Sequence, residues 1–240
     1  YRIPKIIHQV WLGGPFPEKY RKWQQSWIEM HPEWEYKLWT DENTKDLPLI
    51  NRELFDTLTN YGPKVDVLIY DILFRYGGVY VDTDFECMKP IDFFNQNYDF
   101  WVGSGGGKNV SVLFGILGSI PEHPIIRYAV KNLKKPANNI SDNVFSATGP
   151  AFLRKCFFEK SSEGEFKNII FPAGFFYPFP GSKRFIKDPE IIKSYFKPET
   201  YAVHYWEVSW EKPTFMGKML SFLPLKIRRF LYELYSRMFR

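Results

Sequence analysis

The sequence predicts an α/β fold, and three observations carry that expectation. Short apolar runs with strand character alternate with longer stretches of helical periodicity from the first residues onward. The first strand, helix and second strand follow one another in the order of a parallel βαβ unit. A later helix stops on Gly77-Gly78, and the chain passes at once into the apolar run 79–81 and then into two carboxylates, Asp82 and Asp84.

Taken in order, Ile6–Val10 is a short apolar strand ended by Gly13-Gly14. Trp11 stands at its carboxyl end, the side of an open α/β sheet where ligands bind, and a flat indole there can stack on a base or cap the core. His8 is expected to pack beneath. Glu18–Met30 carries Trp23 and Trp27 at i, i+4, which marks a core-facing stripe, and His31-Pro32 breaks the helix. Residues 34–39 alternate Trp34, Tyr36 and Leu38 against Glu35 and Lys37 and read as a strand. Residues 40–60 read as one capped helical stretch. Over 64–76, Val65, Leu68, Ile69, Ile72, Leu73 and Tyr76 recur at helical spacing, with Gly77 suited to the left-handed position past the last turn. Asp66 lies near the start of that helix, off the stripe.

Further strands are expected at 79–81 and 98–102, an apolar stretch at 110–119, and helices at 124–133 and 151–159, the first opened by Pro124. Residues 103–109 (GSGGGKN) fail the spacing of a phosphate-binding loop and read as a flexible loop facing substrate. Residues 171–180 (FPAGFFYPFP) either pack over a sugar or form a packed connector. Over 225–240, apolar residues share one helical face and basic ones lie largely opposite.

Strand alternation would place Tyr80, Asp82 and Asp84 on one face. Two converging carboxylates repel unless a cation or hydrogen-bond donors lie between them. Oxygen ligands of this kind suit Mg²⁺ or Mn²⁺, which are held by one or two carboxylates plus substrate phosphates. Asp-x-Asp alone is equally a strand running into a solvated acidic turn. His204, after the apolar residues 202–203, can add an imidazole and shift the preference towards Mn²⁺.

Composition removes several classes. No run of 18 apolar residues is present, so no spanning helix is expected. Two cysteines, Cys87 and Cys156, are too few for a disulfide scaffold and lack zinc-ligand spacing. The net charge is +5, and residues 218–240 hold six basic side chains and one acid, also +5. The remainder is neutral, so no nucleic-acid partner is expected. The basic amphipathic segment instead suits an anionic membrane surface. Two regions follow: a domain over 1–215 and a basic amphipathic helix over 216–240.

The run KVDVLIYDILFRYGGVYVDTD resembles the K-x-D-x-L-R-x-x-x-L-x-x-x-G-G-x-Y-x-D-x-D signature of glycosyltransferase family 32. IPKIIHQVW resembles that family's opening strand, 141–150 its segment ending T-G-P (Thr148-Gly149-Pro150), where Asp142 or Asn143 would face the sugar or, in the preferred reading, serve a cap or turn, and 204–210 its late H-x-x-x-x-S-W segment. The resemblance spans about 3–210 and departs at Ile69, where the family usually has Arg. It implies a GT-A fold and retaining transfer of a hexose from a nucleotide sugar, with a UDP-hexose preferred and GDP-mannose as the other candidate. The acceptor would be a saccharide or lipid-linked saccharide. It implies that Asp84 holds Mn²⁺ (or Mg²⁺) with Asp82 and His204. Asp82 and Asp66 would hold sugar or ribose hydroxyls, Tyr80 line the pocket, Trp11 stack on the base, and Ser209 and Trp210 close on the diphosphate. Placement would be the cytoplasmic face of a membrane in a bacterium, the preferred reading, or the Golgi lumen in a eukaryote. Two rivals stand beside it. A haloacid-dehalogenase-type phosphatase also puts Asp-x-Asp after a strand, but wants Thr or Val where Glu86 stands. A carbohydrate-binding protein without activity would fit the aromatic content but would not need the paired carboxylates.

Overall fold

The computed structural model describes residues 1–106, 111–135, 146–184, 186 and 188–207. Ser209, Trp210 and the expected helix over 216–240 lie outside the described residues. The strands among the described residues are β1 (Ile6–Val10), β2 (Glu35–Trp39), β3 (Gly78–Val81), β4 (Phe85–Cys87), β5 (Phe100–Gly105), β6 (Ser111–Ser119), β7 (Asn168–Phe171) and β8 (Ala202–His204). The main helices are α1 (Glu18–Met30), α2 (Asp41–Thr44), α3 (Arg52–Thr57), α4 (Tyr61–Tyr76), α5 (Asp92–Asn97), α6 (Pro124–Asn132), α7 (Pro150–Lys160), α8 (Ala173–Phe176) and α9 (Pro189–Lys193).

Six strands form a mixed sheet in the order β2-β1-β3-β6-β5-β7. β1 pairs parallel to both β2 and β3, and β6 runs antiparallel between β3 and β5. β4 and β8 make a separate antiparallel ribbon that pairs Phe85 with His204. The sheet is covered on both faces. One cluster joins Val10, Tyr80 and Leu117 to α4, α6 and α7. The other joins Ile7, Val79, Val81 and Ile116 to Trp27, Phe85, Phe94 and Phe176. Alternate residues of β3 thus enter opposite cores, as the pleat requires. Each large apolar side chain buried this way contributes roughly 1.5–3 kcal/mol.

α4 delivers the chain to β3, an interior strand of the sheet. Its first turn is capped by Asn60, whose Oδ1 accepts from Gly62 N–H at 2.9 Å. Burial exceeds the expected stripe, because α3 and α6 pack on the helix as well as β3. Val67, Tyr70 and Asp71 are buried too. Asp71 tolerates this by accepting from Ile50 N–H and the Arg75 guanidinium. Gly77 has φ +60° and ψ −153°, so the positive φ is as expected but the backbone is outside the left-handed helical region. A Cβ there would lie 2.6 Å from the Pro121 ring, and one on Gly78 2.7 Å from the Ile6 carbonyl. Both glycines are needed where helix turns into strand between two neighbours.

Two expectations are corrected, and one of two alternatives is decided. Residues 40–60 form two short helices, α2 and α3, separated by a non-helical connection containing Pro48, which has no N–H to give. Gly103–Gly105 belong to β5, while 107–110 lie outside the described residues. Residues 171–180 are a packed connector, with Phe176, Tyr177 and Phe179 buried.

Candidate active site

β1 and β3 are parallel neighbours with His8 opposite Tyr80, so Trp11 and the Asp-Thr-Asp segment leave the same edge of the sheet. β3 ends at Val81, and residues 82–84 form a turn. The two carboxylates therefore converge by a tight turn and not by strand alternation. Phe85 N–H closes it on the Asp82 carbonyl at 3.2 Å. Asp82 is fixed on either side. Its N–H donates to the Gly115 carbonyl of β6 at 2.8 Å, and its carbonyl accepts from Gln9 Nε2 at 3.1 Å. Behind Gln9 runs a relay: Gln24 donates to the Tyr36 hydroxyl, which donates to Gln9 Oε1. None of these three polar residues was singled out from sequence. Polar side chains on adjacent buried strands are the signal that could have found Gln9 and Tyr36.

The Tyr80 hydroxyl donates to Asp82 Oδ1, so Tyr80 does lie with the first carboxylate. Asp84 is more deeply set, its side chain 9% exposed against 36% for Asp82. His204 Nε2–H donates to Asp84 Oδ1 at 3.0 Å, and Nε2 is 3.6 Å from Asp82 Oδ2. Asp84 Oδ2 accepts from Glu207 N–H at 2.6 Å, and the Asp84 carbonyl accepts from Tyr205 N–H. His204 reaches this position because β8 pairs with β4, one residue past Asp84. Its ring stacks on Phe85 with centroids 4.6 Å apart and meets Trp206 at 4.2 Å.

One ligand atom from each of Asp82, Asp84 and His204 falls within 4.8 Å of the others. Two carboxylates and an imidazole are a divalent-metal donor set. The His204 Nδ1 is buried with no hydrogen-bond partner, and its other nitrogen is directed at both carboxylates. These residues fit a divalent ion. Burial pushes the Asp82 carboxyl up to about 6, with Asp84 adding to the rise and His204 opposing it. Burial would lower the His204 imidazole, but the Asp84 charge and hydrogen bond and the Asp82 charge hold it above its ordinary range.

Asp66 sits in the first turns of α4, where Thr148 Oγ1 donates to its Oδ2 at 2.7 Å. Burial raises this carboxyl to about 8, the Thr148 hydrogen bond pulls against the rise, and the charge of Asp82 adds to it. Tyr70 donates to the Thr148 carbonyl, so the segment entering α7 is tied to α4. Asp142 and Asn143, considered for this region from sequence, lie outside the described residues. Ile69 is buried in the core. Trp11 is half-buried and rests on Tyr20 at 5.2 Å and Phe16 at 5.9 Å. Tyr20 meets Trp23, and Trp23 stacks on Tyr205 at 4.7 Å, so an aromatic chain links Trp11 to the end of β8. His8 is buried, donating from Nε2 to the Gly77 carbonyl and accepting at Nδ1 from Trp39. Burial lowers it to about 4, which keeps it neutral and structural.

Residues 17–101 match the family described as "Glycosyltransferase sugar-binding region containing DXD motif". The chain is similar to inositol phosphoceramide mannosyltransferase 3 of Schizosaccharomyces pombe, 36% identical over 158 residues, covering 63% of this chain and 44% of that protein. It is also similar to the uncharacterized glycosyltransferase L373 of Acanthamoeba polyphaga mimivirus, 31% identical over 160 residues and covering 63% of each. The matched part is less than two thirds of either relative. Among solved structures, the PaToxG glycosyltransferase shares the fold with a TM-score of 0.54 at 16% identity, covering 65% of this chain and 69% of that one.

Proposed function

We propose, from the match of residues 17–101 to the DXD-containing glycosyltransferase sugar-binding family, that this chain transfers a hexose from a nucleotide sugar to a saccharide or lipid-linked saccharide. The observation that carries this reading is the meeting of Asp82, Asp84 and His204 at the strand edge from which Trp11 also emerges. Asp82, Asp84 and His204 hold the divalent ion, and the imidazole among them favours Mn²⁺ over Mg²⁺. A cation there supplies Lewis-acid neutralisation of the departing diphosphate. Trp11 offers its open face to the base. Asp66 and the exposed side of Asp82 accept from sugar or ribose hydroxyls, and Tyr80 orients Asp82. The resemblance assigns the diphosphate to Ser209 and Trp210, which lie outside the described residues. The family resemblance implies transfer with retention, and front-face attack requires no protein nucleophile.

The fungal relative's name specifies mannose and an inositol phosphoceramide, so GDP-mannose belongs beside the UDP-hexoses as donor. The basic segment 216–240 would hold the chain at an anionic membrane surface, where a lipid-linked acceptor is found. No helix among the described residues is long and apolar enough to cross a membrane.

The test is Mn²⁺-dependent release of UDP or GDP from UDP-glucose, UDP-galactose, UDP-N-acetylglucosamine and GDP-mannose. One donor should turn over, chelation should abolish the release, and Asp84→Asn should lower it roughly a hundredfold or more. A folded sample with no turnover and no metal-dependent donor binding would overturn the proposal.

A further inference from the structure

Tyr177 enters the site from a direction the motifs do not reveal. It follows α8 and is 4% exposed. Its ring packs edge-on against Phe85 at 5.2 Å and His204 at 5.6 Å. Two glycines admit it. A Cβ on Gly103 of β5 would lie 2.6 Å from the Tyr177 ring. A Cβ on Gly115 of β6 would lie 2.7 Å from Asp82 Oδ2 and 3.1 Å from the Tyr177 hydroxyl. A glycine inside a strand marks a place where another group comes close, and here two of them open a slot through which the phenol reaches the metal-ligand cluster.

The hydroxyl has no hydrogen-bond partner although it is buried. Such a group normally costs stability, so a hydroxyl kept there needs a reason. A phenol carries a proton to give at neutral pH. Asp82 Oδ2, the oxygen that Tyr80 does not occupy, and the Tyr177 hydroxyl border the same point, the place a Gly115 Cβ would take.

We propose that Tyr177 is a positioning residue that donates to Asp82 Oδ2 when the site is loaded, clamping that carboxylate between two tyrosine hydroxyls. The proposal rests on the metal-site reading above. Fixing the orientation of a ligating carboxylate from a neighbouring donor commonly changes metal affinity by roughly tenfold or more.

The experiment compares the full wild-type chain with Tyr177→Phe and Tyr80→Phe by Mn²⁺ titration calorimetry and by melting in chelator. Tyr177→Phe keeps the ring and removes only the unpartnered hydroxyl. The expected result is Mn²⁺ binding weakened roughly tenfold or more, with a metal-free melting temperature equal to wild type or higher. Gly115→Ala should weaken Mn²⁺ binding in the same way, by occupying the space between the two oxygens. Equal Mn²⁺ affinity in wild type and Tyr177→Phe overturns the clamp while leaving the metal site standing. A fall in the metal-free melting temperature with unchanged affinity would give the hydroxyl a structural role and also overturns it. A wild-type chain that binds no Mn²⁺ overturns the metal reading and the clamp together.

Discussion

Both oxygens of Asp84 are already in use, one by His204 Nε2–H and one by Glu207 N–H. An ion that takes His204 Nε2 as ligand must displace that proton, so metal binding and protonation compete at one atom. The raised imidazole extends the proton's hold to higher pH. Mn²⁺ affinity should therefore rise with pH across and somewhat above the ordinary histidine range, with proton release visible in buffers of different ionisation enthalpy. His204→Gln should reduce that dependence to the part that Asp82, raised to about 6, contributes, and weaken binding roughly tenfold or more. The metal-free protein should behave oppositely. A group whose folded pKa is raised contributes stability below its unfolded value and loses it as pH rises through the folded one. Asp66, raised to about 8, makes the same kind of contribution. Melting in chelator should fall between pH 5 and pH 8, by on the order of 1 kcal/mol or more, and Asp66→Asn should flatten that slope. At this scale the sequence pointed to two carboxylates that the structure does bring together, for a reason that proved only partly correct. Alternation suggested a shared face, but a turn brings Asp82 and Asp84 together, and the hydrogen-bonding groups that fix them come from β1, β6 and 207, far away in the chain. Tyr177 was hidden inside an aromatic run that read as a lid or a connector.

Among the elements, α1 does more than cover the sheet. Trp27 Nε1–H donates to the Phe85 carbonyl at 2.9 Å, and Ser26 Oγ accepts from Cys87 N–H at 2.9 Å. The helix pins the ribbon strand that follows Asp84. Trp27→Phe would leave a buried carbonyl unpaired and should cost about 1–3 kcal/mol in urea unfolding, with Mn²⁺ affinity falling as the ribbon loosens. The spacing of Trp23 and Trp27 predicted a core face, and both are buried. Their role in holding β4 was not legible, because the hydrogen-bond partner lies 58 residues on. The reading of 40–60 as one helix failed for a local reason. A capping box at Thr40 and Asn43 starts a helix that soon meets Pro48, and Arg52 then donates to the Thr44 carbonyl across the break.

For the whole molecule, the βαβ start and the helix-to-strand passage at Gly77-Gly78 were both written in local pattern, and the α/β class followed from them. The reversed β6 was not, since a strand's direction depends on which neighbours it meets and apolar runs carry no arrow. Charge distribution supplies the prediction at this scale. With the net +5 matched by residues 218–240, the full chain should sediment with phosphatidylserine-containing vesicles, and more weakly as salt rises. A chain ending at residue 215 should remain in the supernatant. Equal sedimentation of the two would remove the membrane reading.

The β4–β8 pairing joins Phe85 to His204, so the third member of the metal-ligand cluster arrives 120 residues after Asp84. Contacts that close so long a loop form late, after the local units that position them. During refolding, an ion binding at this cluster should slow unfolding and leave the folding rate nearly unchanged, because the transition state lacks the completed site. Paramagnetic Mn²⁺ would then act as a clock, reporting the moment when the two halves of the chain first close on each other.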